Sequence, residues 1–136
     1  MIKEKLKKYV QTLNEIPNDE QKYAWLMLFG KNSIELVDDL KLDKFEVPGC
    51  QTRTWVIPGK DHRPTLHFSA DSDALISKGL VCMLADIFSG STSKEILAFE
   101  RRDLEDLRLD VLLTPGRRNG AHNMLQKIRD YALELS

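Results

Sequence analysis

Long apolar runs are missing from this sequence. No stretch approaches the roughly 20 consecutive apolar residues that span a bilayer. The start, Met1-Ile2-Lys3-Glu4-Lys5-Leu6, mixes charges with single apolar residues and lacks the uninterrupted apolar core of a secretion signal. Neither sign of charge dominates. The 21 acidic residues nearly balance the 20 basic ones, so no global field draws the chain to nucleic acid or to an anionic membrane. Cysteine is scarce. Cys50 and Cys82 lie far apart and make no disulfide framework, and a reducing compartment would keep both as thiols. The histidines, His62, His67 and His122, stand at no metal-ligand spacing with the cysteines or with one another, which reads against a zinc site. These absences leave a soluble, cytosolic protein as the expectation, with no metal, nucleic-acid or membrane role.

What is present is ordinary globular material, 136 residues that fit one domain, 1–136. Ile2, Leu6, Tyr9, Val10 and Leu13 recur at helical spacing, and Pro17 ends that helix. Asn18 and Gln21 form a capping-box arrangement that starts a second helix, from about Asp19 to Phe29, with Gly30 suited to the position after its end. Ile34, Leu36, Val37 and Leu40 suggest a short helix or turn. The period then changes. Residues 52–57 are rich in β-branched and aromatic types, 58–64 read as a turn, and Leu66 and Phe68 alternate with polar neighbours, which together predict a β-hairpin. Asp71 or Ser72 can cap the following helix, whose stripe is Ile76, Gly79, Leu80, Met83, Leu84 and Ile87, ended by Ser89-Gly90. Thr92 and Glu95 form another capping box for a short helix to about Phe99, 101–113 is ambiguous, and Thr114-Pro115 starts a final helix. Repeats and low-complexity segments are absent. The order predicts an α+β fold, with helices covering a small antiparallel sheet.

Cys50 stands in Val47-Pro48-Gly49-Cys50-Gln51, on a turn at the mouth of the hairpin. Glycine beside the thiol removes a side chain and lets another protein's backbone approach. A small residue filling a turn explains the same placement. Cys82 has apolar helical neighbours and reads as core packing. Arg117 and Arg118 fall in the first turn of the last helix, where the dipole disfavours cations by up to about 1 kcal/mol each. Such a broken rule can mark an anion site. Taken alone, the pair reads more simply as solvated arginines.

With Gly49-Cys50-Gln51-Thr52-Arg53-Thr54-Trp55 in view, the chain resembles the SufE family, sulfur acceptors of the Suf system with CsdE as a close relative. Gly49, Cys50 and Trp55 match the family's cysteine motif, with Thr54 where valine is usual. Asp71-Ser72-Asp73-Ala74 and Lys78-Gly79 match a second motif. Thr114-Pro115-Gly116-Arg117-Arg118-Asn119-Gly120 resembles the family's Pro-x-Arg-x-x-Gly stretch. Arg118 stands where at least one relative has a small polar residue, and Ala121 where leucine is common.

The resemblance implies an α+β domain similar to the IscU scaffold, and a role as sulfur carrier rather than enzyme. It implies that Cys50 takes persulfide sulfur from a cysteine desulfurase of SufS or CsdA type, stimulates that enzyme, and passes sulfur to a SufBCD-like Fe–S scaffold. Pyridoxal phosphate would belong to the desulfurase, and this chain would need no cofactor. Arg117 would stabilise the sulfur anion or position the loop, and Asp71 and Asp73 would cap the helix after the hairpin. Gly49, Gln51, Asp73 and Arg118 would meet the partner, with this chain a monomer or weak homodimer.

The flexible Gly49 beside rigid Pro48, with apolar cover from Trp55 and Ile57, further predicts a thiol turned inward at rest. A cluster scaffold would need several thiolate ligands, which the chain lacks near Cys50. A cysteine-dependent hydrolase or a thiol redox protein using Cys50 is the alternative, and a hydrolase would need a histidine such as His67 at the thiol.

Overall fold

Amphipathic stripes and caps set the elements, and the computed structural model describes them over residues 1–60 and 63–136. Among these residues the order is α1 (Ile2–Asn14), α2 (Asp19–Asn32), β1 (Thr54–Lys60), β2 (Thr65–Ser72), α3 (Leu75–Phe88), β3 (Ser91–Thr92), α4 (Ser93–Ala98), α5 (Leu109–Leu112) and α6 (Pro115–Glu134). Short 3-10 helices occupy Asp38–Leu40, Asp43–Phe45 and Arg101–Leu107. The fold is α+β, a three-stranded antiparallel sheet in the order β1-β2-β3 with helices packed on it.

Local sequence signals account for most boundaries. The Asn18 side chain accepts the Gln21 N–H at 2.9 Å. Thr92 and Glu95 form the complete reciprocal cap, and the Thr114 side chain accepts from the Arg117 N–H with Pro115 in the first turn. Three expectations need correction. Pro58 and Gly59 belong to β1, not to the turn, because β1 is an edge strand where a missing N–H costs no ladder bond. The middle of the predicted turn, Asp61 and His62, lies outside the described residues. Gly30 sits inside α2, where it serves a helix crossing instead of ending the helix. Asp71 and Ser72 do not cap α3. They remain in β2, paired with Trp55 and Thr54, while the residue before α3 is Ala74, which makes no side-chain cap.

Alternation divides the hairpin into two faces. Val56, Leu66, Phe68 and Ala70 are buried on the inner face, against α3 and α6. Tyr131 of α6 donates its hydroxyl to the Val56 carbonyl at 2.8 Å and stacks on Phe68. On the outer face Trp55 and Asp71 pair side by side, covered by the segment before β1. Asp71 is 3% exposed. Its carboxylate accepts the Leu36 N–H at 3.0 Å and pairs with Lys78 and Lys41, each at 3.7 Å.

α3 is the buried axis, lined by Leu80, Val81, Met83, Leu84, Ile87 and Phe88. It touches α2 backbone to backbone. A Cβ on Gly30 would lie 2.6 Å from the Leu75 carbonyl oxygen and 2.7 Å from the Gly79 nitrogen, and one on Gly79 would run into the Leu26 carbonyl. Helix propensity alone favours alanine over glycine by roughly 1 kcal/mol. The clash outweighs it, since overpacking a close contact costs about 1–3 kcal/mol and occasionally more. Gly79→Ala is therefore expected to lower stability by about 2 kcal/mol in urea unfolding. A midpoint unchanged or raised would contradict this crossing.

Candidate functional site

Cys50 precedes β1 on a loop that is laid along one stripe of α6. Positions 116, 120 and 123 share a helix face by their i, i+4, i+7 spacing. Gly49, Cys50 and Gln51 pass them in the reverse order. Gly49 has φ +80°, and a Cβ on it would come within 2.5 Å of the Asn123 side-chain nitrogen. The Cys50 Sγ lies 3.7 Å from the Gly120 carbonyl oxygen, to which its S–H points. A Cβ on Gly120 would sit 3.5 Å from that sulfur, and one on Gly116 would collide with the Gln51 amide. Small residues on α6 thus create the room that the cysteine loop fills.

A hydroxyl network fixes the loop's far side. Thr52 donates to the Ser77 hydroxyl at 3.1 Å, and Thr54 lies 3.0 Å from the Ser72 hydroxyl. Arg117 Nη1 donates to the same Ser77 oxygen at 3.0 Å. Arg117 thereby reaches the cysteine loop through one shared hydroxyl on the first turn of α3. Asp73 is exposed, its N–H donating to the Arg53 carbonyl at 3.0 Å, and it adds negative charge near the Arg53 guanidinium. Arg118 is turned elsewhere, into a cleft with Arg101 and His122. The expected apolar cover from Trp55 does not face the thiol. Trp55 is on the outer sheet face under Lys41 and Arg53, whereas Thr54, on the inner face, hydrogen-bonds the cysteine side.

The Cys50 thiol is half-buried. Burial pushes its pKa above the ordinary thiol value, the hydrogen bond with Thr54 pulls it down, and Glu46 pushes it up again. The balance keeps the thiol protonated at neutral pH. Cys82 packs against the core, as its apolar neighbours suggest, but is only partly buried. Its sulfur is 3.5 Å from the Ala70 carbonyl and lines a cleft with Tyr9, Phe29 and Asp86. Burial raises its pKa as well.

Comparison with known proteins identifies the family and the fold. The SufE family model, described as an Fe-S metabolism associated domain, matches residues 7–132. The chain belongs to the SufE family. It is similar to SufE-like protein 1, chloroplastic/mitochondrial, of Arabidopsis thaliana, at 34% identity over 131 residues. That match covers 96% of this chain and 35% of the relative, so the chain spans about a third of the relative's length. The solution structure of a hypothetical protein from Thermus thermophilus shares the fold, with a TM-score of 0.77 at 17% identity, over 96% of this chain and 95% of that one.

Sequence reading named Gly116 and Gly120 only within the last motif, without a packing role, and missed Ser77 and Asn123. The signal was available. Two glycines four apart inside an otherwise regular helix are costly without a packing reason.

A raised thiol pKa has a defined consequence. The folded chain holds the Cys50 proton more tightly than the unfolded chain. The stabilisation this gives is complete below the unfolded thiol's pKa and is lost as pH rises through the folded one. Alkylation of Cys50 by iodoacetamide should therefore titrate with a midpoint above the ordinary thiol value and return to it in urea. A midpoint below that value in the folded chain would mean an activated thiolate and a different site.

Proposed function

We propose that this chain is a sulfur acceptor and carrier that takes sulfur from a cysteine desulfurase onto Cys50 and hands it on for Fe–S cluster assembly. The observation that carries the reading is the Cys50 loop itself. A thiol beside a flexible glycine rests on α6 through one long S–H···O contact and needs only a loop movement to reach a partner.

The chemistry is thiol–disulfide-type exchange. The Cys50 thiolate attacks the outer sulfur of a persulfide on the donor's cysteine. The donor's S–S bond breaks as a new one forms on Cys50. The donor cysteine leaves as a thiolate and takes up the proton that Cys50 gave away. Pyridoxal phosphate belongs to the donor in this reading, and the acceptor requires no cofactor. A SufBCD-like scaffold is the onward recipient.

Arg117 is a positioning residue here. Through Ser77 it holds Thr52 and with it the end of the cysteine loop. Docking of the donor turns the loop outward, into an environment where the thiol ionises more readily, while the resting position shields a persulfide from stray thiols and oxidants. The hydrolase alternative lacks support from the geometry. His67 pairs across the sheet with Gly59, towards the opposite end of the hairpin from Thr54.

Incubation with a desulfurase and cysteine, followed by peptide mass spectrometry, tests the proposal. One added sulfur is expected on Cys50, retained in Cys82→Ser and lost in Cys50→Ser. Alkylation of Cys50 should also speed up when the desulfurase is added with its own acceptor cysteine replaced by alanine. Sulfur mapped to Cys82, or persisting in Cys50→Ser, would overturn the reading.

A further inference from the structure

Helix α6 has a second occupied face. At about 100° per residue, position 118 points nearly opposite to 116 and 120, and 122 lies beside it, turned about 160° from 120. They open on a cleft of about 660 Å³ between α6, α5 and the 3-10 helix Arg101–Leu107. Arg101, Arg102, Arg108 and Arg118 line it, together with Glu105 and Asp110. This local excess of cations contrasts with a chain whose formal net charge is −1.

The arginines are poorly neutralised. Arg102 pairs with Glu100 at 2.6 Å. Among the described residues, Arg101, Arg108 and Arg118 form no ion pair with a carboxylate. Arg118 is half-buried, where an uncompensated charge is costly. His122, one turn along, has a buried Nδ1 without a hydrogen-bond partner. Burial lowers its pKa, and so do the charges of Arg101 and Arg118, which shows both guanidiniums acting at the same imidazole.

We propose that this cleft binds a phosphate-type oxyanion carried by a small molecule, held by Arg101 and Arg118 with His122 completing the cradle. Guanidinium forks match the oxygens of such a group bidentately. The volume falls within the roughly 300–1,000 Å³ of ligand pockets and exceeds what an inorganic anion fills, which leaves space for an organic part. Glu105 and Asp110 in the same lining would repel the further charges of an extended acidic segment, which favours one compact anion. The site is separate from the Cys50 face, and its ligand does not enter the sulfur exchange.

Pyrophosphate is the probe, followed by amide and imidazole NMR of the full chain at constant ionic strength, with chloride as the balancing salt. Saturable shifts are expected at Arg101, Arg118 and His122, with an imidazole pKa that rises on binding as the anion offsets the arginines. Arg118→Ser should weaken binding about tenfold or more. Arg101→Gln, at an exposed position that the fold does not need, should do the same. Shifts no larger than those with chloride, affinity unchanged in both variants, or saturation by a glutamate-rich peptide with none by pyrophosphate would each overturn the proposal.

Discussion

A buried carboxylate organises the functional end of this fold. Asp71 stands on the outer face of β2, yet it is almost fully covered, so its charge must be compensated. Lys78 reaches it from the first turn of α3 and Lys41 from the segment before β1, while the Leu36 N–H fills a further acceptor position. Such a cluster adds little net stability over an apolar one. Removing one partner leaves a buried charge exposed to the full cost, of about 3–5 kcal/mol. The consequence is registry. One side chain fixes the end of β2 and the start of α3, and through Leu36 and Lys41 it also ties down the segment that leads towards the cysteine loop.

That registry continues into the site through adjacent residues. Lys78 turns towards Asp71, and its neighbour Ser77 turns towards Thr52 and Arg117. The first turn of α3 therefore joins the buried ion cluster to the loop that carries Cys50. Helix α6 supplies the other wall by dividing its circumference. One stripe is stripped to Gly116 and Gly120 to receive the loop, Arg117 reaches sideways to Ser77, and Arg118 and His122 face the basic cleft. Cations in the first turn of α6 oppose the helix dipole; Arg117 is engaged by Ser77, and Arg118 lines the basic cleft.

Much of the fold was legible because local rules and tertiary needs agree. The caps at Asn18, Thr92 and Thr114 and the inner-face alternation of Leu66 and Phe68 appear where sequence rules place them. The misreadings share one cause. Gly30 looks like a helix terminator, Pro58-Gly59 like a turn and Asp71 like a cap, and each is instead used away from its sequence neighbours: in a helix crossing, in an edge strand paired with β2, in a buried ion cluster. Cys50 and Arg117 were singled out through their motifs, and the structure links them through the Ser77 hydroxyl and Thr52. The glycine stripe was not legible, because its meaning lies in a loop that passes it from far away in sequence.

The weakness of the thiol's own anchorage is the last physical point. The loop is bound firmly on one side, through Thr52 and Thr54, and lightly at the cysteine, through a sulfur contact at 3.7 Å. A sulfur donor of this kind contributes little to holding the loop. The steric fit of Gly49 on Asn123 and of Gln51 on Gly116 decides the resting position instead. Packing of that kind is short-ranged: a gap of about 0.5–1 Å already forfeits a quarter to a half of the attraction. The loop is thus seated on α6 by close packing at Gly49 and Gln51, with the hydroxyl network as its firmly bonded end.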